Sequence, residues 1–196
     1  MRVFVTIAFL FSILTLSSCG GSSESIDITT TEGASALKTL LQSEFGDKRV
    51  CEVTITTEDE LSNNFSTCLV TFIADGQLQH KSYVHESAGE TNWMPAYTGN
   101  QTFIDKYKGR KRISELDFGK MTSLFAEGKS MIEENYENHS LHNFTYTAGL
   151  DDAVTGSFII NVTDKNEDTE EANGFEVVNY YEYAFDVDAS GNIVPQ

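Results

Sequence analysis

Basic residues are scarce in this chain: 13 Lys and Arg stand against 30 Asp and Glu, a formal net charge of −17. Such a surface repels nucleic acid and anionic lipid, which excludes a nucleic-acid footprint. Proline is nearly missing, represented by Pro95 and Pro195, while 40% of the residues are hydrophobic, the composition of a globular chain. Beyond residue 16 no apolar run approaches the roughly 20 residues that cross a bilayer. The three cysteines, Cys19, Cys51 and Cys68, have no CxxC-type spacing, which removes the usual redox and zinc arrangements. HExxH, GxSxG and glycine-rich phosphate loops are missing too. His80, His85, His139 and His142 make no tight ligand spacing, and the last two are expected near a helix end, where histidine suits the dipole. The sequence therefore assigns no catalytic residue, no metal site and no cofactor.

What is present begins at the N-terminus. Arg2 and the apolar run Val3–Leu16 have the layout of a secretory signal, charged first and apolar next. Leu16-Ser17-Ser18-Cys19 then resembles the bacterial lipobox: an aliphatic residue, two small residues and a cysteine. The resemblance implies that residues 1–18 are removed, that the Cys19 thiol receives a diacylglycerol, and that the freed amine is acylated. Each buried methylene is worth about 0.8 kcal/mol, so two or more chains anchor a protein stably without spanning the membrane. Gly20 is not the aspartate that retains some lipoproteins at the inner membrane. In a Gram-negative host the resemblance therefore implies an address in the cell envelope, at the outer membrane. Cys19 to Thr31 lacks apolar periodicity and reads as a lipidated residue followed by a flexible tether. About 12 such residues reach roughly 20 Å in root-mean-square terms.

About 178 residues remain, enough for one domain or two fused lobes. An exported chain meets an oxidising compartment, where Cys51 and Cys68 are expected to bond. The stretches KRVCEVTITT and STCLVTFIA alternate as strands do. A hairpin turning near Glu58–Leu61 puts Cys51 opposite Cys68 and Val53 opposite Ser66, with both sulfurs on one face. Closing that loop would stabilise by about 3 kcal/mol in the chain-entropy model.

The order of elements reads as two copies. In residues 32–92 a helical stripe (Leu37, Leu40, Leu41, Phe45) precedes three strands. In residues 114–196 a helix capped by Ser114 to Asp117, with Leu124, Met131, Ile132 and Tyr136 on its apolar face, again precedes three strands. Pairing Phe144 with Phe158 puts Ala148 opposite Val154 and makes residues 149–153 the turn. The expectation is an α+β fold: an antiparallel sheet of six or more strands, with two helices on one face and two α-β-β-β repeats. The closing segment YYEYAFDVDASGNIV, Tyr180–Val194, is similar to the last hairpin of PepSY-type domains, and the whole resembles the tandem-repeat β-lactamase inhibitor proteins. That resemblance implies binding or inhibition rather than catalysis.

Within that segment, Asp186, Asp188, Ser190 and Gly191 follow the first positions of an EF-hand loop, but the Glu required at position 12 would be residue 197. A hairpin turn with Gly191 at positive φ explains the same residues. The acidic stretch Asp164–Glu171 reads as a solvated loop that could gather calcium only loosely. Sequons at Asn64, Asn100, Asn138, Asn143 and Asn161 read as a by-product of composition.

The connector, residues 93–113, holds the only tryptophan, Trp93, with Tyr97 and then Lys106, Lys108, Arg110, Lys111 and Arg112. Five of 13 basic residues thus crowd into seven positions of an acidic chain. Trp, Tyr and Arg dominate binding hot spots, so these seven residues are the candidate surface for a protein partner. The expectation is a lipid-anchored, non-catalytic protein-binding module, of inhibitor or immunity type. Its rivals are a small envelope hydrolase or metal-dependent enzyme with an unrecognised site, and a structural lipoprotein that assembles an envelope complex.

Overall fold

The computed structural model describes residues 25–85, 105, 111–148, 154–167, 170–172 and 175–196. The elements run α1 (Thr31–Phe45), β1 (Arg49–Val50), β2 (Glu52–Thr57), β3 (Phe65–Ala74), β4 (Gln77–Val84), β5 (Lys111–Arg112), a 3-10 turn (Ile113–Glu115), α2 (Gly119–Met131), β6 (Tyr136–Ala148), β7 (Val154–Asp164), β8 (Glu170–Ala172), β9 (Phe175–Val177), β10 (Tyr181–Val187) and β11 (Ile193–Pro195). Seven strands form one antiparallel sheet in the order β11-β10-β7-β6-β2-β3-β4, and two short two-stranded pairs, β1-β5 and β8-β9, lie outside it.

The fold is α+β, as the element order implies, and its topology is written twice. Each half is a helix followed by a three-strand meander: α1 then β2-β3-β4, and α2 then β6-β7-β10. The leading strands, β2 and β6, pair with one another at the centre, antiparallel. One row of side chains crosses six strands: Tyr83, Cys68, Ile55, Phe144, Phe158, Phe185. The rings of Phe144 and Phe158 stack at 5.7 Å between centroids, and those of Phe158 and Phe185 at 4.9 Å. Alternate strand residues on this face join Leu37, Leu41 and Phe45 of α1 and Met121 and Leu124 of α2 in one core. α2 lies close against the sheet at Gly128, where an added Cβ would meet Ile160 and Phe158 at 3.0 Å.

The Phe144–Phe158 and Ala148–Val154 register is the one that the alternation predicts. The cysteine register is not. Cys68 stands opposite Ile55, and Val53 opposite Val70, four residues from the expected pairing. Cys51 and Cys68 are both buried and are not bonded to one another. Four residues of strand cover about 13 Å, well beyond the roughly 7 Å between Cα atoms that a disulfide tolerates. An even-numbered slip leaves every side chain on its own face, so alternation alone could not detect it. The turn selects the register: residues 58–64 are held by the N-terminal segment, with Ile28 N–H donating to Asn63 O and Phe65 N–H to Ile26 O.

That docking also shortens the tether. Asp27 bridges Asn64, Ile28 is fully buried, and the Thr30 hydroxyl accepts from Gly33 N–H to cap α1. Residues 26–31, expected in the tether, thus belong to the fold. In the second half, α2 starts at Gly119 rather than Ser114, because residues 113–115 form a 3-10 turn whose capping box joins Arg112 and Glu115. The same helix stops at Met131, which is 45% exposed, while Ile132 caps it and Tyr136 opens β6. His139 and His142 consequently lie in β6, where the β6–β7 register shifts twice, rather than at a helix end. Part of the acidic stretch, Glu170–Ala172, is a strand paired with Phe175–Val177.

No described helix is long and apolar enough to cross a membrane.

Candidate functional site

The strands have two distinct ends. At one end lie the docked segment Ile26–Ile28, the β2–β3 turn, the start of β6 and the end of α2. At the other lie the end of β6, the starts of β7 and α2, and the β10–β11 turn. A pocket of about 270 Å³ opens at this second end.

Its lining includes a glycine inside a strand, Gly156. A second row crosses the sheet through Val53, Tyr146, Gly156 and Val187. At Gly156 a Cβ would lie 2.7 Å from the Thr145 carbonyl oxygen, so the backbone approach requires glycine there. Phe144, Tyr146, Val187 and Leu124 line the pocket beside it. Tyr146 is fixed by donating its hydroxyl to Asp117 O at 2.9 Å, and burial, reinforced by the Asp117 charge, pushes the phenol's pKa well up, so it stays protonated.

The rim carries charge of both signs: Lys111, Lys120, Glu115 and Asp117. Glu115 accepts the Arg112 N–H at 2.8 Å. Asp117 Oδ1 turns back over the start of α2, 3.3 Å from where a Gly119 Cβ would stand. Lys120 Nζ reaches the β10–β11 turn, 3.7 Å from a Cβ position at Gly191, whose φ of +87° favours glycine. That turn is the EF-hand-like string. The Asp188 carboxylate accepts from the N–H groups of Ser190 and Asn192 and from the Asn192 side chain, and these bonds, Asn192 foremost, hold its pKa down. Its oxygens are thus taken up by the turn itself.

Of the seven partner-binding candidates, Lys111 and Arg112 form β5 against Arg49–Val50. Lys111 lines the pocket, whereas Arg112 points to Asp47, donating to its carbonyl at 2.9 Å and pairing with its carboxylate at 3.6 Å. Hydrogen bonds from Ser114, then Arg112, keep the Asp47 carboxyl below its ordinary range. Trp93, Tyr97, Lys106, Lys108 and Arg110 lie outside the described residues, as do Cys19 and the signal segment.

Lys120, Asp117, Phe144, Tyr146 and Val187 complete the site, none of them read as a site residue in the sequence. The available signal was the isolated glycine in VTGSFII, since a glycine inside a strand pattern marks a close approach. Another string, Ser35-Ala36-Leu37-Lys38, has the SxxK spacing of some serine hydrolases. Lys38 donates to Leu116 O at 3.2 Å, and no hydrogen bond joins it to Ser35.

The histidines stay apart: His80 Nδ1 is 2.9 Å from the Thr71 hydroxyl, and both ring nitrogens of His85 are buried without a hydrogen-bond partner. Among the described residues no group of three or more His, Cys, Asp or Glu could hold a metal. The sequon residue Asn161 is fully buried, its amide donating to Glu60 O, which bars glycosylation of the folded chain there.

Compared with protein-family models, curated proteins and solved structures, the chain matches none.

Proposed function

We propose that this protein is a lipid-anchored envelope protein whose domain binds a protein partner, without catalysis, at the end of the sheet away from its anchor. One relationship carries the reading. The chain enters the fold at Ile26–Ile28, beside the β2–β3 turn, and the pocket with Lys111 on its rim opens at the opposite ends of the strands. Only five residues separate Cys19 from Ser25, a root-mean-square reach of about 12 Å. A lipid on Cys19 would hold the first end near the bilayer and leave the second free. Lys111 links that end to the basic connector, and an acidic chain with a local basic feature suits electrostatic complementarity with a partner.

The test has two parts. Cys19→Ser should abolish labelling by radioactive palmitate and move the protein from the membrane to the soluble fraction; unchanged fractionation would remove the anchor. Crosslinking in envelopes of the native host should then trap one stoichiometric partner, lost when Lys111 and Lys120 become Gln. A partner retained in that variant would place the interface elsewhere.

A further inference from the structure

Resting on that reading, we propose that the pocket receives the C-terminal residue of the partner polypeptide, an apolar side chain against Phe144 and Val187 and its terminal carboxylate between Lys111 and Lys120. Size is the first reason. At about 270 Å³ the pocket falls below the roughly 300–1,000 Å³ of sites for drug-sized ligands, and is suited to one residue. The sheet residues Phe144, Tyr146, Gly156 and Val187 line one side of it.

Charge is the second reason. The rim is balanced in count, two lysines against two carboxylates. Glu115 accepts from Arg112 N–H, whereas the Asp117 charge still acts on Tyr146. Lys111 and Lys120 make no ion pair among the described residues. Two available ammonium groups beside Phe144, Leu124 and Val187 select a ligand that is apolar at one end and anionic at the other. A polypeptide ending in Leu, Ile or Phe presents that combination within one residue, and an internal segment of chain does not. Capture of a terminal carboxylate is a recurring mode of peptide recognition.

The test is a titration of the full lipidated protein in detergent micelles. The probe is an N-terminally fluorescein-labelled Gly-Ser-Gly-Leu, as free acid and as C-terminal amide, read by fluorescence polarisation. The acid should bind at least ten times more tightly than the amide. Lys111→Gln with Lys120→Gln should erase that difference, and Asp in place of the terminal Leu should abolish binding. Equal affinity for acid and amide would overturn the carboxylate assignment. Isovalerate binding as tightly as the peptide would make the ligand a small acid and overturn the polypeptide assignment. Should no probe bind while the crosslinked partner is still lost in the lysine variant, the pocket assignment falls and the protein-binding reading stands. Should the acid bind selectively while no partner is trapped, the pocket assignment stands and the protein-binding reading falls.

Discussion

Ile55 on β2 stands directly opposite Phe144 on β6, and this pair is the seam between the two halves of the sheet. Stepping outward from it, Cys68 and Tyr83 on one side occupy the places of Phe158 and Phe185 on the other. The row is thus related to itself by an approximate two-fold axis through the Ile55–Phe144 pair. The two copies share one core, with no boundary between them at which apolar surface could be left dry separately.

Truncation at the seam should therefore be felt by the whole domain. Ile55 is fully buried, and Ile55→Ala should cost about 2–5 kcal/mol, with Phe158→Ala at about 3–5. Urea unfolding followed by circular dichroism should show one transition, moved to lower urea. Two separated transitions would mean that the halves unfold independently.

The cysteines should behave as buried thiols. Burial pushes the Cys68 thiol's pKa far up, which suppresses the reactive thiolate. In the chain with Cys19 replaced by Ser, a thiol reagent should find two groups after denaturation and essentially none before. Reductant should leave the unfolding midpoint unchanged. A Cys51–Cys68 bridge in the purified protein would require a β2–β3 register different by four residues.

Gly33 fixes the N-terminal segment on α1. A Cβ there would lie 1.8 Å from the Asp27 carbonyl oxygen, a backbone atom that cannot swing aside. Gly33→Ala should destabilise by about 1–3 kcal/mol through overpacking. Limited proteolysis should then cut within residues 25–30, which the wild type protects. Unchanged protection would show that the segment is held some other way.

Glu52 lies on the sheet face away from the helices, between Thr71 and Thr147. Burial raises its carboxyl above the ordinary 4.5, with His80 opposing. A folded-state pKa above the unfolded one means that the folded state holds this proton longer. This group's contribution is therefore most favourable below pH 4.5 and is lost as pH rises through the raised value. Glu52→Gln should raise the urea midpoint at pH 7, and the gain should vanish near pH 3. A gain that persists at pH 3 would trace to something other than charge.

Local pattern reached as far as local physics extends. Leu37, Leu41 and Phe45 at helical spacing mark the buried stripe of α1, because a 3.6-residue repeat can face a core in only one way. Phe144 and Phe158 found their register because the short connection between β6 and β7 leaves little freedom. Ser190-Gly191 marked the last turn for the same reason, with Gly191 at positive φ. By contrast, Cys51 and Cys68 were misaligned because slips by even numbers of residues keep the same faces. The helix start at Gly119 was misplaced because Glu115 bonds the Arg112 N–H, an arrangement that the Ser114-to-Asp117 spacing mimics two residues later.

The pocket lay beyond such reading for a different reason. Gly156 and Lys120 are 36 residues apart in the chain, and Lys111 and Val187 are 76 apart; nothing in their own neighbourhoods requires them to meet. Composition, periodicity and turn chemistry act over a few residues, and they were enough to specify the helices, most strands and the doubled order of elements. Which strands neighbour one another, where Cys68 pairs and which charges surround a cavity depend on burying both amphipathic halves against one another. That free energy belongs to the assembled sheet and helices, and no single segment carries it.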